Sequence, residues 1–165
     1  MLAEILFQNE LTEEQFLEKT ISKMREMVWN AVNDDNFKVP SVSTFNDLFN
    51  YARKNFLYIN DDKNPFNPNS QADEFLVSPQ YFEQIKYGDC EDFSMWFAAV
   101  IKKFNRQEPV VFRVVKFAEH KPFSHVYVVA KQCGLMDDDV ILDAGNDFPA
   151  FNFEPLAVQR RDYEV

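Results

Sequence analysis

The chain has 165 residues, with 27 acidic against 17 basic side chains and a formal net charge of −10. That length predicts one domain over residues 1–165, and a hydrophobic content of 46% with 18 phenylalanines predicts an aromatic-rich core and excludes a disordered chain. The acidic balance excludes nonspecific binding to nucleic acid and docking on anionic membranes, both of which need basic stripes.

The opening Met1-Leu2-Ala3-Glu4 has neither the basic start nor the apolar run of a secretory signal. No stretch approaches the roughly 18 apolar residues of a membrane helix. The expected setting is cytoplasmic and reducing, with Cys90 and Cys133 as free thiols. No internal repeat or low-complexity segment interrupts the pattern, and oligomeric state stays open.

Thr12 and Gln15 form a capping box, and Phe16, Leu17, Ile21, Met24, Met27, Val28 and Val32 follow at helical spacing, predicting a helix over about 13–32. Asn33-Asp34-Asp35-Asn36 stops it. Ser43-Thr44 introduces a second helix with Phe45, Leu48, Phe49, Ala52 and Phe56 as its stripe. Residues 60–72, rich in Asn, Asp and Pro, predict a surface loop on the substrate side or a plain connector. Ser78-Pro79 opens a short helix to about Lys86, burying Tyr81, Phe82 and Ile85. The next helix starts at Asp89 as N-cap, with Asp92 in an acidic capping box, and Phe93, Trp96, Phe97, Val100, Ile101 and Phe104 on one face. Cys90 continues that face by one turn.

Beyond Asn105 the period changes to strands: Val110–Phe117, His125–Ala130 and Val140–Asp143, joined by connections short enough for antiparallel neighbours. Helices first and strands afterwards predict an α+β architecture, with helices on one face of a sheet. From Phe148 to Val165 no period is visible. Phe148, Phe151 and Phe153 are expected to pack locally, with the last charged residues mobile.

Three segments carry the chemistry: Gly88-Asp89-Cys90-Glu91-Asp92-Phe93, Ser124-His125-Val126-Tyr127-Val128-Val129 and Val140-Ile141-Leu142-Asp143-Ala144-Gly145. A cysteine in the first turn of a helix meets unpaired N–H groups and the positive end of the helix dipole, which favour thiolate. His125 is placed to act as its base, and Asp143 on the next strand to fix the imidazole tautomer. Asp89, Glu91 and Asp92 oppose this by raising the thiol pKa wherever they point at it. Taken singly, Cys90 reads as a small core residue, His125 as structural, and Asp143 as a strand end; His120 sits in a solvated turn. Two of the three glycines, Gly88 and Gly145, lie two residues from Cys90 and Asp143, which hints at tight backbone there. Two Cys and two His, widely spaced, do not make a zinc site. Asp137-Asp138-Asp139 lacks a calcium-loop pattern, and no glycine loop cradles phosphate, so no metal or cofactor is expected.

The three segments together resemble the transglutaminase-like superfamily of cysteine enzymes, over roughly residues 50–145. The resemblance implies a papain-like α+β fold with the nucleophile helix packed on an antiparallel sheet. It implies Cys90 as nucleophile, His125 as general base and acid, and Asp143 as orienter. The reaction implied is acyl transfer on a peptide bond or glutamine amide of a protein or peptide substrate, the thioester resolved by water or an amine. An oxyanion hole would combine the Cys90 N–H with a side-chain donor. Gln84 and Tyr87 are the candidates by proximity, with Trp96 better suited to the core. Relatives occur in bacteria and tailed phages and include members without activity. A noncatalytic binding or structural module, for example in a virion or its assembly, is therefore the alternative.

Overall fold

The computed structural model describes residues 2–67, 73–133, 138–145 and 150–165. Strand β1 (Ala3–Leu6) leads into helix α1 (Glu13–Asn33), and both halves of its capping box form: the Gln15 N–H donates to Thr12 Oγ1, and the Thr12 N–H donates to Gln15 Oε1. Helix α2 (Phe45–Asn55) starts on Thr44, whose hydroxyl accepts from the Asp47 N–H. Strand β2 (Leu57–Tyr58), a single turn of 3-10 helix (Asp61–Lys63), strand β3 (Glu74–Val77), helix α3 (Pro79–Ile85) and strand β4 (Tyr87–Gly88) then lead into α4 (Cys90–Phe104). Four strands complete the chain: β5 (Val110–Lys116), β6 (His125–Ala130), β7 (Val140–Leu142) and β8 (Gln159–Glu164).

The architecture is α+β. The main sheet has the order β7-β6-β5-β8, with every neighbour antiparallel. Side chains alternate across it. Val110, Phe112, Val114, Val126, Val128 and Leu142 join the main core with α4, while Val111, Val115, Tyr127, Val129 and Ile141 form a smaller cluster on the other face. Helix α4 is the central element. Residues Asp92 to Lys102 are all buried, because the helix is covered by α1 and α3 as well as by β5 and β6. An apolar stripe on one face underestimates that coverage: Ser94, Met95, Ala98 and Ala99 are as buried as Phe93 and Trp96. Phe104, counted in the stripe, is 57% exposed at the last residue of the helix.

The chain departs from the helices-then-strands expectation at both ends. β1 pairs antiparallel with β3, and β2 pairs parallel with β4, so short strands are threaded between the helices. These runs of two to four residues are too short to show a period. The tail is also ordered, as β8 along β5. Its charges are used: Arg113 Nε donates to Asp162 Oδ1 at 2.6 Å, and the Tyr163 hydroxyl donates to Glu18 Oε1 of α1 at 3.0 Å. Phe151 packs edge-on against Phe49 of α2 rather than locally, with ring centroids 5.9 Å apart, and Phe153 is exposed. Phe148, Gly134, Asp137 and the end of the 60–72 loop lie outside the described residues. No helix among the described residues is long and apolar enough to cross a membrane.

Candidate active site

Cys90 begins α4, and Gly88 sets the approach to it. A Cβ added to Gly88 would lie 2.4 Å from Asp92 Oδ2 and 2.8 Å from Phe82 Cε2, so the strand-to-helix turn closes only on a glycine. Asp92, fully buried, joins three segments here. Its Oδ2 accepts from the Asp89 N–H at 3.3 Å, and its Oδ1 accepts from the Val77 N–H of β3 at 2.7 Å.

The half-buried Cys90 thiol donates to Glu91 Oε2 at 2.9 Å, with the backbone of Val126 in β6 and the Tyr58 side chain among its electrostatic neighbours. Burial, the charges of Glu91 and Asp89, and the Glu91 hydrogen bond hold the thiol well above its ordinary pKa. The Val126 backbone works in the opposite direction. The helix N-terminus alone predicts a lowered pKa; burial together with the acids beside it wins, because loss of solvent penalises the thiolate and strengthens the repulsion from Glu91 and Asp89.

His125 and Asp143 are brought together. Both are buried, and His125 Nε2 lies 2.6 Å from Asp143 Oδ2. The register explains how. Val128 pairs with Leu142 and Ala130 with Val140, and continuing that ladder sets Gly145 opposite His125. Asp143 therefore reaches the ring diagonally along one face. Gly145 makes the room: an added Cβ would sit 3.2 Å from Asp143 Oδ1 and 3.6 Å from His125 Cε1. The Gly145 N–H donates to Asp143 Oδ1 at 3.1 Å, and Arg53 Nη1 of α2 donates to Ala144 O at 2.8 Å, which anchors the turn. Phe117 and Tyr127 lie beside the imidazole, with ring centroids 6.1 Å and 5.9 Å away.

Helix α4 meets β6 at Val126, whose carbonyl accepts from the Ser94 hydroxyl at 3.2 Å, while Val126 and Leu142 alternate with His125 and Asp143 across the sheet. Gln84 is exposed on α3, and Tyr87 packs against the Phe66 ring at 5.8 Å. A side-chain hydroxyl beside the site belongs to Tyr58, whose ring lies by Gly145 and which interacts electrostatically with Cys90. Sequence reasoning passed over it because the two-residue parallel pairing of Tyr58 with Gly88 is what delivers it; the apolar run Phe56-Leu57-Tyr58-Ile59 was the available signal.

The acidic surroundings are larger than the capping residues. Asp61, whose carboxylate accepts from the Phe75 N–H, and Glu74 join Asp89, Glu91 and Asp92. Burial pushes Asp61 up to about 6, and burial with the charge of Glu91 pushes Glu74 up to about 10; Asp89 and Asp92 are raised well above the carboxylate range for the same reasons. Two trios, Asp89-Cys90-Glu91 and Asp61-Asp89-Asp92, have ligand atoms within 4.8 Å of one another, close enough to hold a cation. His120 is exposed in its turn, and Cys133 is a free thiol whose sulfur donates to Glu108. No protein-family model matches this chain, and no curated protein matches its sequence.

Proposed function

We propose that the protein is a cysteine-dependent acyl transferase or amide hydrolase of transglutaminase-like fold, with Cys90 as nucleophile, His125 as base and acid, and Asp143 as orienter. The observation that carries this reading is the buried His125–Asp143 pair at 2.6 Å, on strands next to a cysteine in the first turn of the central helix. Asp143 takes Nε2, so Nδ1 is the atom that exchanges a proton with the thiol. Cys90 Sγ attacks the carbonyl carbon of an amide, its proton passing to Nδ1 of His125. The tetrahedral intermediate collapses as that proton moves to the leaving amine. Water or a second amine then cleaves the thioester. The Tyr58 hydroxyl and the Cys90 N–H are assigned as the oxyanion donors.

One observation favours the second reading, a noncatalytic binding or structural module: the thiol keeps its proton in a hydrogen bond to Glu91, in a setting that disfavours thiolate. Iodoacetamide labelling followed by mass analysis separates the two. The enzyme reading expects Cys90 to label faster than Cys133 near neutral pH, and Asp143→Asn to slow it about tenfold by releasing the imidazole. Labelling of Cys90 no faster than that of a denatured-state thiol, unchanged in Asp143→Asn, would favour the module. Tyr58→Phe is expected to lower turnover of a fluorogenic peptide amide by about a hundredfold, the usual effect of losing an oxyanion donor, with its melting temperature kept.

A further inference from the structure

A cavity of about 260 Å³ lies between α1, the start of β3, the first turn of α4 and the beginning of β6. Glu13, Asp73, Glu74 and Glu91 line it together with His125, and no lysine or arginine does so among the described residues. Phe16, Leu17 and Met24 of α1 supply an apolar wall. Thr20 also lines the cavity. It is 5% exposed, and its Oγ1 has no hydrogen-bond partner.

Each feature asks for the same ligand. A buried hydroxyl without a partner costs free energy until a donor reaches it. Carboxylates converging on one space repel unless protons or a cation compensate them. Glu13 and Asp73 are each engaged by a backbone N–H, from Phe123 and Gln8, while burial and the charge of Glu91 push the Glu74 carboxyl toward its protonated form. The apolar wall suits methylene groups, as where lysine and arginine stems lie along apolar surface. The volume is that of a side chain rather than of a drug-sized ligand.

We propose that this cavity is the subsite for a lysine or arginine side chain of a peptide substrate, its head group held by Glu74, Glu91 and Thr20 Oγ1 and its stem along Phe16, Leu17 and Met24. The assignment rests on the reading of Cys90 as nucleophile, since Glu91 and His125 line the cavity and Glu91 also accepts the hydrogen bond of the thiol. The incoming cation replaces the proton on Glu74, which leaves to solvent.

The test is binding to the intact protein, followed by calorimetry and by NMR shifts, with Nα-acetyl-lysine methylamide, Nα-acetyl-arginine methylamide, and the norleucine analogue as neutral control. The cationic amides are expected to bind at least tenfold more tightly than the norleucine amide. Glu74→Gln and Glu91→Gln are each expected to weaken them at least fivefold. Thr20→Val, which keeps the shape, is expected to weaken them about threefold and guards against a folding defect in the charge variants. Equal binding of the norleucine amide, or unchanged affinity in all three variants, overturns the subsite. So does tighter binding of a free diamine than of either amide, which would assign the cavity to a small cation. Cys90→Ala protein is expected to bind as the native protein does. A failure of acyl-transfer chemistry with cation binding intact therefore removes the catalytic reading alone. Loss of cation binding with a reactive Cys90 removes the subsite alone.

Discussion

At the scale of single residues, two glycines and one tyrosine shape the site more than the acids that first mark it. Gly88 is needed for space and not for an unusual backbone, since no glycine among the described residues has a positive φ. In Gly88→Ala the new methyl would overlap Asp92 and Phe82, both buried. Overpacking of this kind costs about 1–3 kcal/mol, which for a chain of this size lowers the melting temperature by about 3–10 °C, readable by calorimetry. Tyr58 reaches the surroundings of Cys90 because it stands beside Gly88 across the β2–β4 pairing. The motif residues themselves were legible: a cysteine after an N-cap aspartate, and a histidine and an aspartate on consecutive strands. Their mutual geometry was not, because a one-residue slip in the β6–β7 ladder would send Asp143 to the opposite face.

At the scale of elements, α1, α2, α3 and α4 follow from caps and apolar spacing, since both are local interactions that the chain order displays directly. The strands divide. β5, β6 and β7 are rich in buried β-branched residues and show themselves, whereas β8 reads Gln-Arg-Arg-Asp-Tyr-Glu and is held by cross-strand partners instead. Arg113–Asp162, Arg161–Glu14 and Tyr163–Glu18 tie that charged strand to the sheet and to α1. A chain ending at Val158 would leave the β5 edge without its ladder. With roughly 1 kcal/mol for each forfeited hydrogen bond, a loss of about 3–5 kcal/mol is expected in urea denaturation. The exposed β5 edge should also promote self-association, visible by size-exclusion chromatography.

For the molecule as a whole, the carboxyls near Cys90 dominate the dependence of stability on pH. Glu74 rises from 4.5 to about 10 and Asp61 from 3.8 to about 6 on folding, and Asp89 and Asp92 rise as well. A raised acid binds its proton more tightly in the folded state, so stability is fullest below the unfolded pKa and falls as pH climbs toward the folded one. Asp34, Asp139 and Asp162 are lowered by hydrogen bonds, with ion pairs to Lys131 and Arg113 contributing at the last two; their contribution is lost only as pH falls below about 4. The stability maximum is therefore expected near pH 4–5, with the melting temperature at about pH 9 lower by roughly 5 °C or more. Glu74→Gln, which cannot ionise, should flatten that decline in thermal melts across pH. A melting temperature that rises from pH 5 to pH 9 would contradict the buried acidic cluster.

The amino-acid order alone determined the helices, the three apolar strands and the placing of Cys90 in the first turn of the most buried helix, because these rest on spacing and caps within a few residues. Only the tertiary structure decided which partners that cysteine has. Glu91 is its neighbour in the chain, but Tyr58, Val126, Asp61 and Glu74 reach its surroundings through pairings and packing between segments far apart in sequence. The joining of His125 to Asp143 depends in the same way on strand register. The net charge of −10 announced an acidic surface; folding concentrated part of it in a half-closed space, where loss of solvent makes each carboxyl matter far more than it does on an open surface.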